Sequence, residues 1–391
     1  MDLTGLLLIL FGFSWSITDS AILIGYGLLL IFFFISKNWK KLFFDKISLY
    51  TMSFVVWRTF TGIINKSITF KILLKNIKFL FDVSPVFVFR NPSFILKYKY
   101  LIYSFLISLA ILTIASAIVL FGIRTFGFFE GDMLKVFHRN HLKSGFIWSL
   151  GSLLALIFGI KYDRKLLIIA PILVVGLFYT QARSYYLGFA GAILWVFALM
   201  GFKHSVKYLL SGVSLLLFTL PVGYFIAPIK ERFLSIFLGL QTDGSIKCRL
   251  IFWEEGLKVF KSSPIWGIGF GQWSSFFSSV NSVYKYPCPN YHAHNIFIHE
   301  LVESGIVGLL LLSLLLVYLL FVLTRSYLYI NASQDNARYS EAILLSGVAA
   351  VLNFIIGGFF EPALVKSVVL IPTFTVVGFA LAESDKLKSS P

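Results

Sequence analysis

The stretch "YHAHNIFIHELVESGIVGLLLL" (291–312) sets three histidines and two glutamates at the mouth of a very apolar segment, in a chain with only six histidines. An imidazole is the side chain best suited to take up a proton near neutral pH, so His292, His294 and His299 are the first candidates for chemistry. His294 and Asn295 stand where a loop turns into a helix, and Asn295 suits the cap of that helix. Glu303 follows nine residues after His294, inside a largely apolar helix where an ionised carboxylate is costly without a partner. Gly305 and Gly308 thin one side of the same helix and would admit close packing. Arg183 in "YTQARSYYLGFAGAILW" is a lone cation between two apolar runs, and Arg249 opens "RLIFWEEGLKVF". Their plainer readings are snorkelling to outer headgroups for Arg183 and the polar side of a surface helix for Arg249. Guanidinium groups also clamp phosphates bidentately, and two of them beside a histidine make a diphosphate-and-base arrangement. A further basic cluster, His138, Arg139, His141 and Lys143 in "FHRNHLKSG", reads either as solvated surface or as contacts to an acceptor or to lipid.

Other chemistries find no support. "GIGFGQW" (267–273) lacks the preceding strand and the acidic partner of a dinucleotide fingerprint, and no Walker lysine follows it. The histidines have no metalloprotease spacing and no cysteine or carboxylate at metal-ligand spacing. No metal and no cofactor are expected.

The elements that position these residues belong in a membrane. The sequence is 58% hydrophobic and 13% charged, with 43 phenylalanines in repeated apolar runs. This composition predicts an all-α polytopic membrane protein, one integral membrane domain over 1–391. The charge-poor start "MDLTGLLLILFGF" reads as a first span rather than a cleavable leader. A net charge of +16 would suggest nucleic acid in a soluble protein. Here it suggests positive-inside loops, anionic headgroups or a phosphate-bearing lipid, and no nucleic acid.

About twelve spans are expected, near 4–18, 20–36, 47–63, 68–87, 100–123, 143–160, 165–181, 185–201, 207–227, 299–323, 340–357 and 365–382. In the fourth, Lys71, Lys75 and Lys78 share one helical face, which either lies at the interface or lines a cavity for an anionic substrate. With twelve spans, the basic stretches 37–46, 90–99, 161–165 and 203–207 and the tail fall on one side, the cytoplasmic one. Both termini are then cytoplasmic. Segment 122–145, Arg183 and a large loop over 227–298 face the other side.

That loop carries amphipathic helices before the tenth span. In "CRLIFWEEGLKVF", Leu250, Trp253, Leu257 and Phe260 form the predicted apolar face. Pro264 then ends the helix, and the glycines make a broken turn. Cys248 and Cys288 both lie in this loop. They are either separate buried thiols or a disulfide that staples the helix bearing Arg249 to the chain leading into His294.

At this point the residues resemble a known family, the O-antigen ligase and polymerase superfamily of bacterial envelope glycan assembly. "TQARSYYLGFAGAIL" resembles its short outer turn with a serine–arginine pair, although here the order is Arg183–Ser184. "CRLIFWEEGLKVFKSSPIWGIGFGQW" resembles its arginine, tryptophan, proline and glycine block, with Arg249, Trp253, Pro264, Gly267, Gly269 and Gly271 in place. His294, Asn295, Ile298, Glu303, Gly305 and Gly308 follow its histidine–asparagine block, and "FHRNHLKSGFIWSLG" is loosely similar to another. The resemblance implies a GT-C-like glycosyltransferase in the bacterial inner membrane, with its site facing the periplasm. It would move a glycan from an undecaprenyl diphosphate donor to the lipid A-core, without a metal and with inversion. Arg183 and Arg249 would hold the diphosphate and His294 would act on the acceptor hydroxyl. Asn295, Glu303, Trp253 and Gly269 would support them. The alternatives are a polymerase that joins lipid-linked repeat units, and a flippase for the same lipid.

Overall fold

The computed structural model describes residues 2–35, 45–122, 129–130, 133–134, 140–203, 206, 210, 244–286, 288, 292–330 and 336–389. The first helices are α1 (Leu3–Ile17), α2 (Asp19–Ile35), α3 (Lys46–Ile64), α4 (Phe70–Val83), α5 (Pro85–Val88) and α6 (Tyr98–Gly122). Next come α7 (His141–Lys161), α8 (Leu166–Tyr179), α9 (Arg183–Lys203), α10 (Gly244–Ser262) and α11 (Trp273–Tyr284). The chain closes with α12 (Ile296–Tyr329), α13 (Ala337–Gly358) and α14 (Ser367–Ser389). Among the described residues the only sheet is a small antiparallel pairing of Phe129–Glu130 with Met133–Leu134. The chain is therefore an all-α polytopic membrane protein. Seven of its described helices (α3, α6, α7, α9, α12, α13, α14) are long and apolar enough to cross a bilayer, and α1, α2 and α8 are shorter apolar helices. Apart from residue 210, the expected span 207–227 lies outside the described residues.

Helix α14 is the enclosed axis, with its whole apolar window buried, as befits a helix apolar on every side. Some of its polar groups find partners within the bundle. Thr373 Oγ1 donates to the Val369 carbonyl at 2.7 Å, and the Ser384 and Ser326 hydroxyls meet at 2.6 Å. Helices α13, α12, α5, α2 and α4 pack around it, while α9 and α7 lie against α13. By contrast α12 has only a third of its apolar window buried. Leu310, Leu314, Val317 and Phe321, at helical spacing, stay exposed on the lipid side.

Segment 68–87 departs from the expected plain span. Helix α4 is a 14-residue amphipathic helix, capped by Thr69, and is not among the apolar helices of membrane length. It buries Ile72, Asn76, Phe79 and Val83 and exposes Lys71, Lys75 and Lys78. Three lysines on one face of so short a helix leave too little apolar surface for lipid on every side. The chain continues through α5 to Phe89, whose ring stacks on Phe379 at 4.9 Å.

The described parts of the basic stretches gather at one end of the bundle. Arg90 pairs with Asp45 and, at 2.6 Å, with Asp385 near the chain end. Lys97 pairs with Asp2. Glu341 takes Lys161 at 2.8 Å and Lys203 at 3.0 Å, tying the ends of α7 and α9 to the start of α13.

Candidate active site

Helix α12 has 34 residues, roughly 50 Å at 1.5 Å per residue, more than a bilayer needs. It is broken at Gly305, whose φ of +68° and ψ of −170° are not helical. A side chain there would be strained, and its Cβ would lie 2.0 Å from the Ile265 carbonyl oxygen. The break frees backbone groups that lipid cannot satisfy, and the glycine turn before α11 satisfies them. Ile268 N–H donates to Val302 O at 2.9 Å and Gly269 N–H to Glu303 O at 3.0 Å. Ile306 N–H donates to Pro264 O at 2.8 Å, and Trp57 Nε1–H to Ser304 O at 2.8 Å. The Glu303 carboxylate completes the junction by accepting the backbone N–H groups of Gly271 and Trp273, each at 2.8 Å. It thereby caps the N-terminus of α11 with a negative charge, the favourable sign there. "GIGFGQW" is thus a clamp on a broken helix, and Gly269, at φ +99°, is part of it.

Above the break, Asn295 caps α12 by accepting from Phe297 N–H at 2.9 Å and Ile298 N–H at 3.0 Å. His294, just before it, has φ +50°. That left-handed conformation costs a non-glycine residue on the order of 1 kcal/mol or more and recurs at functional sites. Several restraints hold it. Trp253 Nε1–H donates to Ala293 O at 2.9 Å. The His294 ring lies nearly parallel to Phe252, with centroids 6.0 Å apart. A disulfide joins Cys288 to Cys248, the neighbour of Arg249 on α10.

Helix α10 turns a different face inward from the one its pattern predicts. Phe252, Glu255 and Gly256 are buried, whereas Leu250 and Leu257 are exposed. The reason is close packing, because Gly256 sits against Val302 and Trp273 and a larger residue would hold the helices apart.

Arg183, Arg249 and His294, from three separate stretches of chain, line one cavity of about 400 Å³, together with Trp253, His141 and Glu361. Arg183 is the first residue of α9. Arg249 Nη2 pairs with Glu361 at 3.1 Å, and Lys366 Nζ reaches the other oxygen of Glu361 at 3.2 Å. Glu361 is fully buried, so two cations on one carboxylate leave a net positive wall. Burial first, then Arg249 and Lys366, push the His294 imidazole down to about 3. Burial and its histidine neighbours bring His292 to about 3 as well. Both are neutral at physiological pH, so His294 is free to accept a proton. Its Nδ1 is buried without a hydrogen-bond partner among the described residues. A cationic wall facing a neutral imidazole suits a reaction with an anionic leaving group and a hydroxyl nucleophile.

The other expected residues fall around this cavity or away from it. Lys143 pairs with Asp19. His138 and Arg139 lie outside the described residues. Asn295, Glu303 and Gly269 build the frame. Lys75, Lys78, His292, His299 and Glu303 line a second cavity of about 250 Å³. No cluster of metal-ligating side chains occurs among the described residues. Sequence reasoning missed Glu361 and Lys366, which sit between two spans with no motif around them. It also missed Arg58 on α3, buried and paired with Glu300 at 3.1 Å. A charged residue inside an apolar run was the available signal for Arg58.

Residues 166–313 match the family model described as "O-Antigen ligase", and that span holds Arg183, Arg249, Trp253, Gly269, His294, Asn295 and Glu303. The chain is also 32% identical over 115 residues to the exopolysaccharide production protein ExoQ of Rhizobium meliloti (strain 1021). That similarity spans 28% of this chain and 25% of the relative.

Proposed function

We propose, from the match of residues 166–313 to the family model described as "O-Antigen ligase", that the protein is a GT-C-type glycosyltransferase that works on a lipid-linked glycan at the outer face of a bacterial inner membrane. In this reading the chain crosses the bilayer about twelve times with both ends cytoplasmic. The gathering of the basic stretches at the end of the bundle away from His294 supports that orientation. The observation that carries the proposal is the convergence of Arg183, Arg249 and His294 on one cavity.

The donor is a glycan on undecaprenyl diphosphate, whose diphosphate is already a good leaving group. Arg183 and Arg249 hold it and offset the charge that grows on its bridging oxygen. Glu361 steadies Arg249 against the wall. Neutral His294 takes the proton of the acceptor hydroxyl as the oxygen attacks the anomeric carbon. A single displacement inverts that carbon, and none of these roles calls for a metal ion. The acceptor is the lipid A-core sugar. A second reading, polymerisation of lipid-linked repeat units, draws support from the similarity to an exopolysaccharide production protein. It uses the same donor chemistry with a different acceptor.

The test offers purified protein a defined lipid-linked glycan, with and without lipid A-core. Transfer only with lipid A-core identifies a ligase, and chain growth without it a polymerase. Movement of the donor across a vesicle membrane without any transfer would replace both with a flippase. His294→Ala is expected to cut transfer at least a hundredfold while the protein stays folded and binds donor. Wild-type turnover by that variant would remove His294 from the chemistry.

A further inference from the structure

We propose that the second cavity is the acceptor-sugar subsite, an inference that rests on the transferase reading. The two cavities lie on either side of the histidine loop. The His292 and His294 rings stand 4.1 Å apart, with His292 facing the second cavity and His294 the cationic one. A small cavity of about 10 Å³ shares His294 with the cationic cavity and His299 and Leu364 with the second one. That is about the space of one water-sized group, enough for a hydroxyl and too small for a sugar ring.

Displacement chemistry is consistent with this arrangement. The nucleophile must approach the anomeric carbon from the face opposite the departing diphosphate. With the diphosphate on Arg183 and Arg249, the acceptor arrives from the far side of His294, where the second cavity lies. Its hydroxyl proton passes to His294 and its oxygen bonds the anomeric carbon. The bond from that carbon to the diphosphate oxygen breaks, and its electron pair leaves on the polyprenyl diphosphate.

The lining selects a polyhydroxyl ligand. Buried polar groups rarely stay unpaired without a ligand or water to explain them. Trp273 Nε1–H, a donor on a residue only 1% exposed, and Asp82 Oδ1, an acceptor on a residue also 1% exposed, have no hydrogen-bond partner among the described residues. Neither has His292 Nδ1. Lys75 adds a cation with no ion pair among the described residues. A simple anion would satisfy the donors and be repelled by Asp82 and Glu303. Sugar hydroxyls donate and accept together and satisfy both kinds of group, while Trp273 and Phe270 supply aromatic wall for the ring's carbon face.

The test uses full-length protein in nanodiscs with labelled lipid-linked glycan as donor, and lipid A-core oligosaccharide and a lipid-linked repeat unit as acceptors. Ser274→Trp narrows the cavity and Lys75→Ala removes one charged donor. Each should raise the KM of whichever acceptor the wild type uses by about tenfold or more, while the donor dissociation constant stays at the wild-type value. An unchanged acceptor KM in both variants, or a rise in the donor constant instead, overturns the subsite. No transfer by the wild-type protein to either acceptor would instead count against the transferase reading, so the two failures are told apart. Lys75 is exposed on α4, so its variant remains informative if Ser274→Trp folds poorly.

Discussion

Replacing Cys248 with serine should uncouple Arg249 from His294. The disulfide spans a sequence separation of 40. Closing such a loop restrains the unlinked chain by about 4 kcal/mol in the chain-entropy treatment. Its ends are placed tellingly, with Cys248 beside Arg249 on α10 and Cys288 six residues before His294. Without the link, the loop is held by the Trp253–Ala293 hydrogen bond at 2.9 Å and the stacking of His294 on Phe252. Each contributes about 1 kcal/mol. Opening of the histidine loop should therefore rise by up to about three orders of magnitude, taking His294 away from its left-handed pose. The assay compares Cys248→Ser with the oxidised wild type by transfer rate and by hydrogen exchange of the peptide over 292–299. Expected are a fall in turnover of at least tenfold and faster exchange, with the membrane helices unaltered. Wild-type turnover and exchange in a variant shown by mass to lack the bond would refute the idea that the disulfide positions His294.

Further outcomes follow from the same geometry. Because burial and the cations around it push the His294 imidazole down to about 3, donor kcat/KM should stay flat down to about pH 5, where an ordinary histidine near 6.5 would already be protonated. Bound diphosphate opposes Arg249 and Lys366, so the acid limb of kcat should lie at higher pH than that of kcat/KM; coincident limbs near 6.5 would contradict this. Lowered folded-state values also mean that the unfolded chain binds protons first. Stability contributed by neutral His292 and His294 is thus present above pH 6.5 and lost as pH falls toward 3, by about 1.4 kcal/mol per pH unit for one such histidine. An unfolding midpoint that does not fall between pH 6.5 and 5 would count against their burial. Glu361→Gln releases the anchor shared by Arg249 and Lys366 and should lower donor kcat/KM about tenfold or more, with an unchanged value placing Glu361 outside the site. Gly305→Ala drives a Cβ against the Ile265 carbonyl and should cost at least about 2 kcal/mol, visible as a lower unfolding temperature. An unaltered temperature would mean that the helix is continuous there.

Much was legible in the sequence because lipid is a demanding solvent. Apolar runs had to be helices, basic stretches had to collect at one end, and Asn295 had to begin α12. Arg183 stood out as a lone cation between two apolar runs, Arg249 as the opening of an amphipathic helix, and His294 because the chain has only six histidines. Other features were illegible for identifiable reasons. Phe252 and Gly256 face inward on α10 because of what Val302 and Trp273 present, and helical periodicity cannot know its partner. The glycine turn looked like a loop ending because its partner, the interrupted helix at Gly305, lies more than thirty residues later.

By itself, then, the sequence determined the solvent, the helices and the residue types able to do chemistry, since these depend on local polarity and on spacing within one helix. Only the tertiary structure decided which charges meet. Glu361 bridges Arg249 and Lys366, and Glu303 reaches back to the start of α11. The histidine loop lies between a cationic cavity and one whose Trp273 Nε1 and Asp82 Oδ1 find no hydrogen-bond partner among the described residues. Such meetings depend on long-range packing, where a buried carboxylate is stable only beside the partner that the fold brings to it.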